Sequence, residues 1–165
     1  MDRELLRVDG DLALAVGVLS DAVALAEGEG LDPYEPDPGP EPGYRPHNLT
    51  RATVVDGGGR VLGQVSWHQV GYGRTRASGA WNIGIRLVPA ARGRGVAAPL
   101  LRLVAAHLFA TTDLDRVEAA TAVDNVAARR AFERAGFQEE GTVRGAQVRG
   151  GVRRDMTLYG LLRGD

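Results

Sequence analysis

The densest chemistry in the chain lies in Pro89-Ala90-Ala91-Arg92-Gly93-Arg94-Gly95-Val96-Ala97, between an alternating apolar run ending at Val88 and a long apolar run beginning near Val96. Glycine adopts backbone angles that turn several N–H groups the same way, and it lets a ligand approach the main chain closely. If a helix starts near Val96, its first-turn amides lack intrahelical partners and carry the positive end of the helix dipole. Turn and helix start together form a socket for phosphate or pyrophosphate, and Arg92 and Arg94 can add charge-assisted bonds. A glycine-rich βα turn without a ligand is the alternative. A Walker loop is excluded, because it needs a lysine and all twenty basic residues here are arginine. A dinucleotide fingerprint needs a third glycine where Ala98 stands, and a buried parallel strand before it; the preceding strands read instead as antiparallel hairpins.

The elements that must position this turn follow from periodicity and turn chemistry. A strand is expected over Glu4–Val8, then a helix from about Asp11 to Glu27, with Asp9 or Asp11 as its N-cap. Residues 29–47 hold six of the eight prolines, interleaved with acids and tyrosines, which rules out regular helix or an inner strand. Asn48–Val55 and Arg60–Trp67 are joined by Asp56-Gly57-Gly58-Gly59, a hairpin signal. Trp81–Val88 alternates, with Trp81, Ile83, Ile85 and Leu87 facing one way and Asn82, Gly84 and Arg86 the other. A helix over Val96–Ala110, a strand over Arg116–Thr121, a helix over Asn125–Ala135 closed by Gly136, and strands over Gly141–Arg149 and Arg153–Leu162 complete the chain. That order predicts a single α/β domain, a mixed sheet with helices on both faces.

On two motifs the chain resembles the GCN5-related N-acetyltransferase (GNAT) superfamily, specifically its RimJ/RimL-like branch. Arg92-Gly93-Arg94-Gly95-Val96-Ala97 matches the family's R/Q-x-x-G-x-G/A acetyl-CoA signature. Asn125 to Phe137, with Ala128, Glu133 and Gly136 between, resembles its N-x-x-A-x-x-x-x-E-x-x-G-F helix. The blocks Val65–His68, Trp81–Ile85 and Arg116–Ala119 sit where similar blocks lie in that branch, so the resemblance runs from about Thr53 to the end. It implies one N-acetyltransferase domain over 1–165, α+β, with a central, mostly antiparallel sheet splayed at the strand before the turn. Residues 29–47 would form a loop on the acceptor side.

The resemblance also implies a mechanism. Ile85, Leu87 and Val88 would bond the pantetheine arm of acetyl-CoA, while Arg92, Gly93, Arg94, Gly95, Val96 and Ala97 would hold the pyrophosphate. The acetyl carbonyl would lie near the Leu87 and Val88 amides, where an N–H can stabilise a developing oxyanion. Asn125 would contact the pantetheine or phosphate chain, or simply cap its helix. Phe132 would stand beside the thioester. Three departures from the family pattern concern proton transfer: Asn82 replaces a glutamate, Phe132 a tyrosine and Ala128 a serine. That leaves the general acid unassigned. His68, on a strand near the acceptor cleft, has a suitable titration for a base; His107, mid-helix, reads as structural. Asn82, His68 and Tyr159 are thus the catalytic candidates. Asp155 and Tyr159 share a strand face, and Tyr72, Glu35, Asp37, Glu41 and Asp155 are candidates for binding the amine.

Composition bounds the rest. The 165 residues are 44% hydrophobic and 25% charged, an ordinary globular balance. Without cysteine there is no disulfide, thiol nucleophile or Cys-metal site, and no metal is expected. The longest apolar run, Leu12–Leu19, is far short of a bilayer span, and Met1-Asp2-Arg3-Glu4 lacks a signal-peptide pattern, so a cytoplasmic protein is expected. Residues 1–41 carry a net charge of −9 and residues 42–165 a net charge of +8. Such a division suits a protein that holds a polyanion in one place and a cation in another; the acidic arm favours a small or cationic amine over a protein N-terminal α-amine. Nucleic acid is a poor fit, because aromatic and basic residues are not interleaved. The expected partners are acetyl-CoA and an amine, with a homodimer left open. An acyl-CoA-binding protein with little or no turnover is the second reading, since the CoA motif is intact while the proton-handling positions are not.

Overall fold

The computed structural model describes residues 3–27, 32–37 and 46–165. Its elements are β1 (Leu5–Asp9), β2 (Leu12–Ala15), α1 (Asp21–Ala26), β3 (Thr50–Asp56), β4 (Val61–Gly71), β5 (Gly79–Leu87), α2 (Ala97–Thr111), β6 (Arg116–Ala122), α3 (Val126–Arg134), β7 (Gln138–Arg149) and β8 (Val152–Leu162). The eight strands form one mixed sheet in the order β1-β2-β3-β4-β5-β6-β8-β7. No described helix is long and apolar enough to cross a membrane.

The first segment departs from the sequence expectation. Where a helix was expected from Asp11, the chain turns at Gly10 (φ +57°) and returns as β2, antiparallel to β1 and paired on its other side with β3. The run Leu12-Ala-Leu-Ala has helical propensity, but the open edge of β3 supplies backbone partners that a short helix cannot match. Asp11 caps nothing: its carboxylate accepts the Gly57 N–H of the next hairpin at 3.0 Å. The helix is confined to α1.

Adjacent residues of β3 show how the sheet is covered on both faces. The Thr53 hydroxyl donates to Asp21 of α1 at 2.9 Å, while Val54 on the opposite face joins the main core. α2 fills that second face. Leu100, Leu101, Leu103, Val104 and Leu108 are all buried and form one broad apolar face, while Arg102 on the opposite side is exposed. Trp67 packs its ring 5.7 Å from His107 of α2, and the Trp81 indole N–H bonds Thr112 at 2.9 Å. Burial, with the nearby Arg7 charge, holds the His107 pKa below its ordinary value, consistent with a structural histidine.

The feature that positions the site is where β5 leaves β6. These strands run parallel, yet they pair only at Trp81–Val117 and Asn82–Glu118. Beyond Asn82 they diverge, and the sheet opens into a wedge.

Candidate active site

The ladder register determines which backbone groups face the wedge. Val88 donates its N–H to the Leu62 carbonyl at 2.9 Å, in an antiparallel register that runs unbroken back through Gly63–Leu87 to Gly71–Gly79. Antiparallel pairs alternate between bonded and unbonded residues. Asn82, Gly84 and Arg86 therefore bond β4, and the backbone polar groups of Ile83, Ile85 and Leu87 point toward the departing β6. The Val88 amide expected to polarise a carbonyl is already engaged with Leu62, and of the two amides expected there only that of Leu87 faces away from β4.

These three residues line a cleft of about 600 Å³ with Arg92, Gly93 and Ala97 of the turn, Ala120–Ala122 of β6, Asn125, Ala128 and Phe132 of the α3 region, and residues 32–36. Gly93 (φ +68°) and Gly95 (φ +76°) occupy the left-handed region, and an added Cβ at either would meet nothing within 4 Å. Backbone conformation, then, and not crowding, calls for glycine. α2 begins with no side-chain cap on Val96, which leaves its first-turn amides for a ligand. The Arg92 Nε donates to the Leu87 carbonyl at 3.1 Å, tying the turn to the end of β5. Val96 and Ala97 are half-buried, whereas Arg94 and Gly95 are exposed. Asn125 caps α3, accepting the Ala128 N–H at 3.1 Å, and also lines the cleft. Phe132 stacks on Tyr159 at 4.9 Å between ring centroids and meets Phe137 edge-on at 5.5 Å.

At the closed end of the wedge lies a carboxyl group that the sequence reading passed over. Glu118 is 3% exposed, and four donors converge on it. The Tyr72 hydroxyl donates at 2.7 Å, Arg116 at 3.1 and 3.2 Å, and the Asn82 side-chain amide at 3.3 Å. Arg116 also grips Glu140, which holds the Glu140 pKa below its usual range and raises that of the guanidinium. Alternation from buried Val117 places Glu118 on the other sheet face; two of its partners, Tyr72 just after β4 and Asn82 of β5, are distant in the chain, which no local pattern reveals.

Several site candidates stand elsewhere. Tyr72 lines a separate depression with Ser78, Asp115, Arg116 and Glu140, at the opposite end of the β5–β6 join. Burial, then its bond to Glu118, raises its pKa. Tyr159 is fully buried against Phe132, and its hydroxyl contacts Glu139 and Arg129, both at 3.3 Å, so it packs the core. Asp155 is exposed and accepts the Gly145 N–H at 2.8 Å. Asp37 accepts the backbone N–H groups of Gly150 and Gly151, the latter at 2.8 Å, in the β7–β8 hairpin turn. Glu35 lies 4.0 Å from Arg86. Glu41 lies outside the described residues. His68 is half-buried and is the cross-strand partner of Asn82, which puts both at the apex of the wedge. Among the described residues no cluster could hold a metal ion.

A sheet opened beside a glycine-arginine turn and an uncapped helix start defines a class of fold, and comparison with known proteins gives its family. Residues 40–138 match the acetyltransferase (GNAT) domain model, so the chain belongs to the GNAT family. The Bacillus subtilis protein named "Putative ribosomal N-acetyltransferase YdaF" is 30% identical over 105 residues, 64% of this chain and 55% of that protein. The chain thus spans about half the length of the curated relatives it matches. Among solved structures, Mycobacterium smegmatis RimJ in complex with CoA-disulfide has a TM-score of 0.75 at 22% identity, covering 97% of this chain and 85% of that one. Spermidine N-acetyltransferase from Vibrio cholerae, in complex with CoA and spermine, has a TM-score of 0.73 at 21% identity, covering 93% and 96%. These two share the fold.

Proposed function

We propose that the protein is an acetyl-CoA-dependent N-acetyltransferase that moves acetyl to a primary amine by direct attack. The observation that carries the reading is one cleft combining the β5 edge that faces away from β4, at Ile83, Ile85 and Leu87, with the Arg92–Ala97 turn and the uncapped start of α2. That combination suits a long, polar thioester ending in a pyrophosphate. The amides of Gly93 to Ala97, with Arg92 and Arg94, would hold the pyrophosphate. The β5 edge would pair with the pantetheine as an added strand does, and Asn125 would touch it at the α3 cap.

Acetyl-CoA supplies the activated acyl group; the amine nitrogen bonds the carbonyl carbon, the C–S bond breaks and the thiolate departs. The Leu87 N–H would donate to the developing oxyanion. The amine must attack in its neutral form, and His68 at the wedge apex would take its proton through water. Asn82, held by Glu118, would orient that water. Phe132 and Ala128 present no hydroxyl to the thiolate, so positioning must carry more of the rate. Near-attack geometry is worth ~7–11 kcal/mol.

The described acids that favoured a cationic acceptor have partners, Asp37 in the hairpin turn and Glu35 near Arg86, which leaves a protein N-terminal α-amine as open as a small amine. Location in the cytoplasm and pairing of two copies belong to the same reading. The apolar side chains of Phe132 and Ala128 favour a second one, an acyl-CoA-binding protein with little turnover.

Calorimetric titration with acetyl-CoA and with CoA, on the native chain and on Gly95→Glu, tests the first. Binding by the native chain that the variant loses supports it, and absence of native binding overturns it. Steady-state acetylation of an amine panel then separates transferase from binding protein.

A further inference from the structure

Three buried side-chain polar atoms among the described residues lack a hydrogen-bond partner: Asp21 Oδ1, Gln147 Oε1 and Arg149 Nε. The first is compensated by the Arg3 guanidinium 2.6 Å away. The other two lie two residues apart on β7, and so on one face of that strand. Buried polar atoms almost always find partners, and an unmatched one is destabilising. Gln147 also lines the cleft, and its unmatched acceptor there calls for a donor.

The strand is shaped to bring Gln147 there. Between Val143–Met156 and Gln147–Arg154, β7 advances four residues while β8 advances two. Such a bulge re-aims the side chains beyond it. It is pinned by the Asp155 carboxylate on the Gly145 N–H and by Arg153 on the Gly145 carbonyl at 2.8 Å, with Gly145 at φ +56°. Gln147 then lines the cleft with Met156, facing Tyr34 and Glu35. Arg149 closes the wall behind it, donating to the Pro33 carbonyl at 3.1 Å and covering the Tyr34 ring at 5.4 Å. The last torsion of a glutamine is soft and roughly two-fold, so a turn of the terminal amide presents Oε1 to a donor inside the cleft.

The geometry points to Gln147 as a specificity-determining residue of the acceptor site, one that accepts an N–H adjacent to the reacting amine and so selects acceptors carrying an amide there. This rests on the transferase reading above. A site built to bond a substrate N–H rejects the analogue that lacks it, because the buried acceptor is then left unmatched.

The test uses alanine N-methylamide and alanine methyl ester, which differ by that N–H. Binding of each is titrated against the CoA-saturated protein, with turnover measured in parallel, for the native chain, Gln147→Leu and Gln147→Glu. The native chain should prefer the amide by about tenfold or more. Gln147→Leu should erase the preference, with CoA affinity unchanged and melting temperature equal or higher, since it removes an unmatched buried group. Gln147→Glu, which keeps an acceptor, should retain the preference. Equal binding of amide and ester, a preference that survives in Gln147→Leu, or failure of the amide to bind overturns the assignment. Each of these with intact CoA binding leaves the transferase reading standing, whereas a native chain that does not bind CoA loses both. A lower melting temperature for Gln147→Leu would show that the amide is bonded within the protein, which also overturns it.

Discussion

The side-chain amide of Asn82 donates to Glu118 at 3.3 Å across the last pair of residues that joins β5 to β6. One step further the strands separate, so this contact closes the apex of the cleft. Where the family often carries a glutamate on β5, this chain places a carboxyl group one strand over and ties it to asparagine.

Removing that carboxyl group should loosen the apex. Glu118→Ala leaves the half-buried guanidinium of Arg116 with one acid partner instead of two, and the Tyr72 hydroxyl with none of its present bond. Hydrogen bonds to a charged group are worth about 1.5–3 kcal/mol, so the melting temperature should fall by roughly 3–12 °C at about 2–4 °C per kcal/mol. Glu118→Gln should lose less. Differential scanning calorimetry of the three proteins decides; equal melting of native chain and Glu118→Ala would refute the role.

Phe132→Tyr should restore a hydroxyl to the wall of the cleft at the position where the family often has one. If the departing thiolate limits the rate, kcat should rise by about 100-fold, the lower end of the range for proton transfer, while the acetyl-CoA KM stays constant. An unchanged kcat would show that the thiolate leaves unaided.

The Gly93 backbone, at φ +68° with open space around it, separates strain from collision. Gly93→Ala should cost about 1–2 kcal/mol of turn conformation and weaken CoA binding about 5- to 30-fold, with little change in the circular dichroism spectrum. Calorimetric titration with CoA measures this. Full-strength binding by the variant would mean that the turn adopts another conformation when occupied.

Asp21 carries a pH dependence. Burial raises its pKa, but the Val18 N–H, the Arg3 guanidinium and the Thr53 hydroxyl together outweigh this and hold it below the usual carboxylate value. A group with a depressed folded pKa contributes stability above its unfolded pKa of about 3.9, and that stability is lost as pH falls through the folded value. Urea midpoints for the native chain should therefore drop between about pH 4 and pH 2 more steeply than for Asp21→Asn. Parallel curves would exclude Asp21 as the source.

The Asp37 carboxylate joins the segment 32–37 to the β7–β8 turn through two backbone amides. Asp37→Ala should release that clamp and speed proteolytic cleavage within residues 32–37 several-fold. Equal cleavage rates would show that the remaining contacts, Arg149 on the Pro33 carbonyl, Tyr34 on the Asp124 carbonyl and the residue-37 N–H on the Val148 carbonyl, hold the segment.

Local signals were enough for what depends on local physics. Gly93, Gly95 and Gly136 announced positive-φ turns, Pro89 the end of β5, Asn125 a cap, and the Trp81–Leu87 alternation a two-faced strand, because each is a property of one residue and its immediate neighbours. From these the glycine-arginine turn, the two later helices and the succession of the last six strands along the chain were legible.

Whatever depended on a partner distant in the chain was not. Leu12–Ala15 reads as helix until β3 stands beside it. Glu118 reads as an exposed strand acid until Tyr72, Asn82 and Arg116 converge on it, and Asp37 as a free charge until the hairpin turn reaches it 113 residues later. Even the phase of β5 needed Leu62, whose carbonyl takes the Val88 amide and turns Leu87 toward the cleft. Backbone conformation and periodicity are written in short stretches of sequence; which groups are bonded, buried or left for a ligand is a matter of long-range pairing, and only the tertiary structure decides it.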